Sequence, residues 1–297
     1  MPLERDPGAE TSGAEPLRSF EARAYTAPLR ALSIALPALA AANIVYLAAN
    51  LVLDSIEGTR RAPPLAVVFG IVVLSGVPWL AARLLRRALR ATVAVKPGEI
   101  ELTLRRARYQ IPLPSIAEVR ALKLPLPGPG VVFVMKSGRR FRYRLELTDP
   151  SVFLSALPVP SAPVAASHPS TAFGRERSLF ARRGWLYLLF KYGFFPLVFA
   201  VIFFRLHQYI VFGGAFGQYR MFGLAAYLRS FATVLAGTVG QLVVYACVVR
   251  LVVEALALPL TWAIPGRAHS LRRAAEIVGH LAYFGLVPAY VAFLFFR

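Results

Sequence analysis

Thr92-Val93-Ala94-Val95-Lys96-Pro97-Gly98-Glu99-Ile100-Glu101-Leu102-Thr103-Leu104 is the stretch on which the fold turns. Apolar and polar residues alternate on both sides of Pro97-Gly98, which is the period of a strand with one buried face, and Pro-Gly punctuates a turn. A β-hairpin is expected. It opens a β-rich island running from Thr92 to about Pro158, set in a chain whose other long segments are apolar.

Along the island, Tyr109 to Leu113 and Ile116 to Leu124 supply two short extended runs, interrupted by Pro112 and Pro114. Pro125-Leu126-Pro127-Gly128-Pro129-Gly130 is a loop, because neither a helix nor a sheet interior accepts that density of proline. Val131 to Met135 and Arg140 to Leu145 flank Ser137-Gly138 and predict a second hairpin. Asp149-Pro150 then starts a short helix with Val152, Phe153, Ala156 and Leu157 as its apolar stripe.

Outside the island the chain prefers lipid to water. Of its 297 residues 57% are hydrophobic and 16% charged, against roughly 25% charged in an ordinary soluble domain. A hydrocarbon layer about 30 Å thick needs roughly 20 apolar helical residues. Five stretches qualify: Leu29 to Leu53, Pro64 to Leu85, Trp185 to Phe204, Phe231 to Val249 with an apolar continuation to Trp262, and Ile277 to Phe296. The expected fold class is therefore an α+β membrane protein, with a small antiparallel β domain and its C-terminal helix inserted between spans two and three. The domains follow as a disordered cytoplasmic tail (1–28), a two-span hairpin (29–85), the β domain (91–158), a linker (159–183) and a three-span region (184–297).

The tail is polar and carries Glu4, Asp6, Glu10 and Glu15, which argues against a signal peptide. Arg83, Arg86, Arg87 and Arg90 follow the second span, and Arg175, Arg177, Arg182 and Arg183 precede the third. Cytoplasmic loops hold the excess of Lys and Arg, so the N-terminus and β domain are expected inside and the C-terminus outside. The loop of the first hairpin, with Arg60 and Arg61 beside Asp54 and Glu57, is expected outside. The net charge of +19 borders spans, which points to anionic lipid rather than nucleic acid as the partner. An Arg-rich composition set by the genome accounts for that charge equally well.

The strand order, the phrase Tyr109-Gln110-Ile111-Pro112-Leu113-Pro114-Ser115-Ile116-Ala117-Glu118-Val119 and the closing Asp149-Pro150-Ser151-Val152-Phe153-Leu154-Ser155-Ala156-Leu157 resemble a bacterial pleckstrin-homology-like domain. The form it is most similar to is that of YcxB-like and YdbS-like membrane proteins, in which two spans precede the domain. The resemblance implies a curled antiparallel sheet closed by a helix, Ile111, Ile116 and Val119 as core residues, a binding surface without catalysis, and a bacterial inner membrane. It does not imply phosphoinositide binding. Gly266-Arg267-Ala268-His269-Ser270-Leu271-Arg272-Arg273, followed by Val278, Tyr283 and Pro288, resembles the last segment of Yip-family membrane proteins, implying membrane organisation.

Candidate contact residues come from charge placed on strand faces and inside spans. Arg140, Arg142 and Arg144 alternate with Phe141, Tyr143 and Leu145, so one strand face would carry three guanidinium groups; Arg105, Arg106 and Arg108 form a second triplet. Both are candidates for anionic lipid or a protein partner, and a solvated or aggregation-protected face is the plain alternative. Lys191 is expected to snorkel to the headgroups, and Arg250 with Glu254 to pair at four-residue spacing near the interface rather than to relay protons. Asn43, Asn50 and Gln241 can join helices by hydrogen bonds, and Pro37, Pro78, Pro196 and Pro288 put kinks in four of the spans.

No paired carboxylates, nucleophile with a base, or phosphate loop appears, so no enzymatic activity and no cofactor is expected. Cys247 is the sole cysteine, and His168, His207, His269 and His280 fall in separate segments without metal-ligand spacing. The expected role is a membrane scaffold or anchor displaying the β domain to a protein partner or the anionic surface, with homo-oligomerisation open. The alternative is a transporter or channel subunit, for which a polar cavity lined by Gln241, Asn43 or Lys191 would speak.

Overall fold

The computed structural model describes residues 18–57, 63–180 and 184–296. Most of the expected tail (1–17), Arg60 and Arg61 of the first hairpin loop, and Arg182 and Arg183 lie outside the described residues. The chain divides into two compact units, a β module of Met1–Pro28 with Arg87–Gly174 and a helical unit of Leu29–Arg86 with Arg175–Arg297.

In the β module the quoted stretch forms the expected hairpin. Strands β2 (Arg90–Lys96) and β3 (Glu99–Leu104) pair antiparallel with Val93 opposite Leu102, about a turn at Pro97-Gly98. They belong to one seven-stranded antiparallel sheet, ordered β4-β3-β2-β1-β7-β6-β5, with β1 at Arg18–Tyr25, β4 at Arg108–Pro112, β5 at Ile116–Ala121, β6 at Gly130–Met135 and β7 at Arg144–Leu147.

The middle strand is the correction. Arg18–Tyr25, expected to be tail, lies between β2 and β7, with Phe20 opposite Val93 and Ala24 opposite Leu145. Its inward residues Ala22 and Ala24 are buried, and Phe20 meets Phe153 edge-on at 5.4 Å. Small inward side chains under a polar composition give a weak alternation, so the strand is specified by the two neighbours that supply its hydrogen bonds.

The far boundary also moves. The helix Pro150–Ser155 starts as expected, with Asp149 accepting from the Ser151 N–H at 2.9 Å, and it buries Phe153 and Leu154 in the core. The expected linker is partly folded: Val159, Ala162 and Ala165 enter the same core, the Ser161 hydroxyl accepts from the Val119 N–H at 2.8 Å, and Pro169–Phe180 is helical. Ile111, Ile116 and Val119 are buried in that core.

Gly130 starts β6 so close to β7 that a Cβ there would lie 2.1 Å from the Leu145 carbonyl oxygen. Only glycine fits beside that backbone. Gly130→Ala is expected to lower the thermal midpoint of the β module by several degrees, followed by hydrogen exchange of β6 and β7.

On the outer face Glu101 is 3% exposed, held by Lys96 at 2.8 Å, by Arg108, and by the Thr103 hydroxyl, which donates at 3.3 Å. The Lys96 hydrogen bond, with the Arg108 charge behind it, keeps the carboxyl below its usual range against desolvation. A depressed folded-state value stabilises the module above the unfolded value of about 4.3, and that share is lost as pH falls through the folded one. Glu101→Gln is therefore expected to destabilise at pH 7 and to matter progressively less as pH falls below the unfolded value, read as the difference in thermal midpoint from the wild type.

Among the described residues five helices are long and apolar enough to cross a membrane: Ala27–Asp54, Leu65–Ala88, Trp185–Phe212, Gly217–Ala263 and Pro265–Phe293. A helix of sufficient length stands at each of the five expected stretches, and the last three extend well beyond their apolar runs. Gly223, at φ 81°, breaks the fourth helix near its start. The fifth begins at Pro265, well before the apolar stretch expected from Ile277, so Arg272 stands on a helix and is 2% exposed.

Three of these five helices contain a π turn: Ile71–Gly76, Phe190–Phe194 and Ala282–Leu286. Each ends two residues before a proline, Pro78, Pro196 or Pro288. A proline has no N–H for the carbonyl four residues back and its ring crowds that carbonyl, so the helix widens by one residue upstream. Pro37 sits inside Ala27–Glu57 without such a turn.

Candidate functional site

At each widened turn a side chain from another helix donates to one backbone carbonyl, which an apolar surrounding could not solvate. Asn43 donates to the Gly70 carbonyl at 3.1 Å and to the Ser75 hydroxyl at 2.8 Å, while Ser75 donates to Ala40 O at 3.1 Å. The Tyr283 hydroxyl donates to Lys191 O at 3.0 Å, a carbonyl whose π partner five residues on would be Pro196. The Tyr245 hydroxyl donates to Ala282 O at 2.9 Å.

Around the second and third of these turns the polar side chains converge. Lys191 is 9% exposed, its ammonium 4.6 Å from the Tyr283 ring centre and 5.3 Å from that of Tyr192. The expected snorkel is replaced by burial against aromatic faces, which attract a cation through their quadrupole. His280 donates from Nδ1 to the Glu276 carbonyl at 2.6 Å, and its Nε2 lies 3.1 Å from the Tyr187 hydroxyl. A cavity of about 20 Å³ lies among Tyr187, Lys191, Arg250, Glu276, His280 and Tyr283.

The expected Arg250–Glu254 pair forms at 2.6 Å, but it is one edge of a larger network. Arg250 also reaches Glu276 at 2.6 Å, and Arg272 forks onto Glu254 at 3.0 and 2.9 Å while touching Glu276 at 2.8 Å. Arg177 stands 3.8 Å from Glu254. Two carboxylates are thus shared by two close arginines across the fourth and fifth spans.

Gln241 and Asn50 do not join this arrangement. Gln241 is exposed, and Asn50 donates to Tyr46 O on its own helix at 2.9 Å. Gly240, one turn from Ala236, packs against Val68 of the second span, where an added Cβ would stand 3.3 Å from Val68 Cγ2. Cys247 is a free thiol. Among the described residues no group of three His, Cys, Asp or Glu side chains is placed to hold a metal ion.

In the β module the two arginine triplets meet at an aromatic seam. The sheet curls until Tyr109 of β4 touches Phe141 and Tyr143, with ring centres 6.2 and 5.4 Å apart and the tyrosine hydroxyls 3.4 Å apart. The alternation of Arg140, Arg142 and Arg144 with half-buried Phe141 and Tyr143 holds, but not as one strand. Arg140 forms an isolated bridge with Val134, β7 starts only at Arg144, and the register slips between them. Arg105 and Arg106 stand exposed in the β3–β4 turn, while Arg108 is engaged with Glu101. Among the described residues no carboxylate lies within ion-pair distance of Arg105, Arg106, Arg140 or Arg144; Arg142 lies over the Tyr143 ring at 5.7 Å.

Two features escaped the reading of the sequence. Phe190-Lys191-Tyr192-Gly193-Phe194-Phe195-Pro196 and Ala282-Tyr283-Phe284-Gly285-Leu286-Val287-Pro288 are the same phrase, an aromatic, a glycine, two apolar residues and a proline in one spacing. The prolines alone signalled kinks; the aligned phrase signals two matching breaks. Arg272 and Glu276, four apart on a basic segment, were the second signal, visible as a helical pair only once the loop is read as helix.

The class defined by the described residues is a protein with five helices long and apolar enough to cross a membrane and a curled antiparallel sheet, six of whose strands lie between the second and third helices while the central one precedes the first. In comparisons with family models, curated proteins and solved structures, nothing matches the chain.

Proposed function

We propose that the protein is a non-enzymatic integral membrane anchor whose β module binds the anionic surface of the bilayer through its arginine seam. The observation that supports this most is the register. Ala91 stands opposite Leu104, which brings the Arg105-Arg106 turn level with Arg90, and Tyr25 stands opposite Arg144. These are the strand ends joined directly to helices of span length, since β1 leads into Ala27 after one residue and β2 follows Ala88 after one.

A guanidinium group held within a Debye length of an anionic bilayer, about 8 Å at physiological salt, contributes about 1 kcal/mol toward it. In the full chain reconstituted in nanodiscs, hydrogen exchange across 104–109 and 139–144 is expected to be slower in anionic than in zwitterionic lipid. The triple change Arg105→Gln, Arg106→Gln, Arg140→Gln is expected to remove about 3 kcal/mol, a hundredfold or more in the protected fraction. Equal exchange in both lipids would refute the reading and turn attention to a protein partner. A transporter or channel subunit is the second reading, favoured by the paired breaks and the Lys191 cavity.

A further inference from the structure

The turn between the third and fourth helices is apolar where a loop in water would be polar. Arg205 and Arg229 are exposed on the two helices it joins, and a charged side chain is costly inside hydrocarbon, so each marks a level at or beyond the edge of an apolar layer. Between them Arg220 is the only Lys, Arg, Asp or Glu. Tyr209, Phe216, Tyr219, Met221, Phe222 and Leu224 are exposed there instead.

The turn is held in one shape from within. Gly217 passes so close to the end of the third helix that a Cβ there would stand 2.2 Å from the Phe212 carbonyl oxygen. From it a short helix, Gly217 to Phe222, runs up to Gly223, whose φ of 81° and ψ of 174° suit glycine alone and part it from the long fourth helix. Gln208, fully buried on the third helix, donates through Nε2 to Gln218 Oε1 at 2.7 Å and accepts from the Gln218 N–H at 3.3 Å, while Gln218 Nε2 donates to the Ser230 hydroxyl at 2.7 Å. A helix of 3.6 residues per turn held by Gln218 places Arg220 on its far side and Met221 and Phe222 to either side of Gln218. Phe222 meets Phe212 at 6.2 Å, and Arg205 lies over the Phe216 ring at 5.1 Å. The exposed apolar groups are thus fixed at the ends of two helices whose own sides are apolar, and they continue that surface. Tyrosine and arginine, each with an apolar body and a polar tip, suit the headgroup level of a bilayer.

We propose that the short helix Gly217 to Phe222 is an interfacial foot, which takes the headgroup–acyl boundary of the bilayer as its partner and sets the depth of the third and fourth helices in it. Met221 and Phe222, 66% and 61% exposed, enter the acyl edge, and Arg220 stands among the lipid phosphates. The proposal rests on the reading of the chain as membrane-spanning and is independent of the arginine seam.

In the full chain carrying Cys247→Ser, nitroxide labels are placed singly at Met221→Cys, Phe222→Cys and, as a control on the side of the third helix, Ile202→Cys. In nanodiscs of phosphatidylcholine and phosphatidylglycerol each is read by collision with oxygen, which favours the acyl layer, and with a nickel chelate, which stays in water. The Met221 and Phe222 labels are expected about 5–10 Å into the headgroup–acyl boundary and the Ile202 label deeper. Nickel access to the first two beside a lipid-buried control overturns the proposal alone, whereas nickel access to the control overturns the membrane-spanning reading beneath it. Labels at Met221 and Phe222 shielded from both reagents mean that protein covers the foot, a second copy where the spectra show spin–spin broadening, and overturn the proposal too. Should the labelled variants fail to reconstitute, the wild type decides: a phospholipid with a carbene precursor high on its acyl chain should attach within Gly217 to Gly223. Adducts on the third and fourth helices with none in that segment overturn the foot.

Discussion

Deleting Arg18–Tyr25 is expected to unfold the whole β module, far beyond what trimming a surface arm would do. The strand is central: β2 pairs with it across Arg18 to Arg23 and β7 across Ala22 to Tyr25, so its loss leaves two exposed strand edges and divides the sheet. It also opens the floor of the core, where Phe20 packs on Phe153 and Ala24 is 1% exposed. The lost ladder bonds, at about 1 kcal/mol each, and the uncovered apolar surface together exceed the 5–15 kcal/mol by which an ordinary domain is stable. Limited trypsin digestion of the full chain in nanodiscs tests this. Arg90, Arg120 and Arg144, which lie in strands, should become rapid cleavage sites in the deletion and stay slow in the parent. An unchanged digestion pattern would mean that the remaining six strands hold together without it.

How much of this was legible follows from where each signal is generated. The β2–β3 hairpin is written locally, in an alternation and a Pro-Gly turn, and it formed as read. The five spans are written in composition, and helices of sufficient length stand at all five. By contrast β1 is written in its partners. Its own residues, Arg-Ser-Phe-Glu-Ala-Arg-Ala-Tyr, offer one large apolar side chain on the inward face, and pairing with Val93 and Leu145 makes it a strand. The arginine triplets were legible as exposed faces but not as neighbours, because the contact of Tyr109 with Tyr143 depends on the curl of the sheet and joins residues 34 apart. In the helical unit, Arg250 and Glu254 could be paired from spacing alone. Their tie to Arg272 and Glu276 could not, since it depends on how the fourth and fifth spans pack.

That tie predicts the second large effect. Arg272→Met is expected to destabilise the helical unit by about 3–5 kcal/mol, the usual result of removing one partner from a buried ion pair. Arg272 is 2% exposed and supplies three close contacts to two carboxylates. Without it Glu254 and Glu276 share the single close guanidinium of Arg250, with Arg177 at 3.8 Å from Glu254 as the nearest substitute. The uncompensated carboxylate, rather than the lost attraction, carries most of the cost, and that distinction is testable. In Arg272→Met with Glu276→Leu the leftover negative charge is gone, while Arg250 and Glu254 keep their pair at 2.6 Å and four-residue spacing. Thermal unfolding in detergent should then show the single variant far below the wild type and the double variant close to it, a coupling of 2 kcal/mol or more, on the order reported by cycles on contacting residues. If the double variant falls as far as the single, the network holds the two spans through the arginine's reach and packing, not through charge balance.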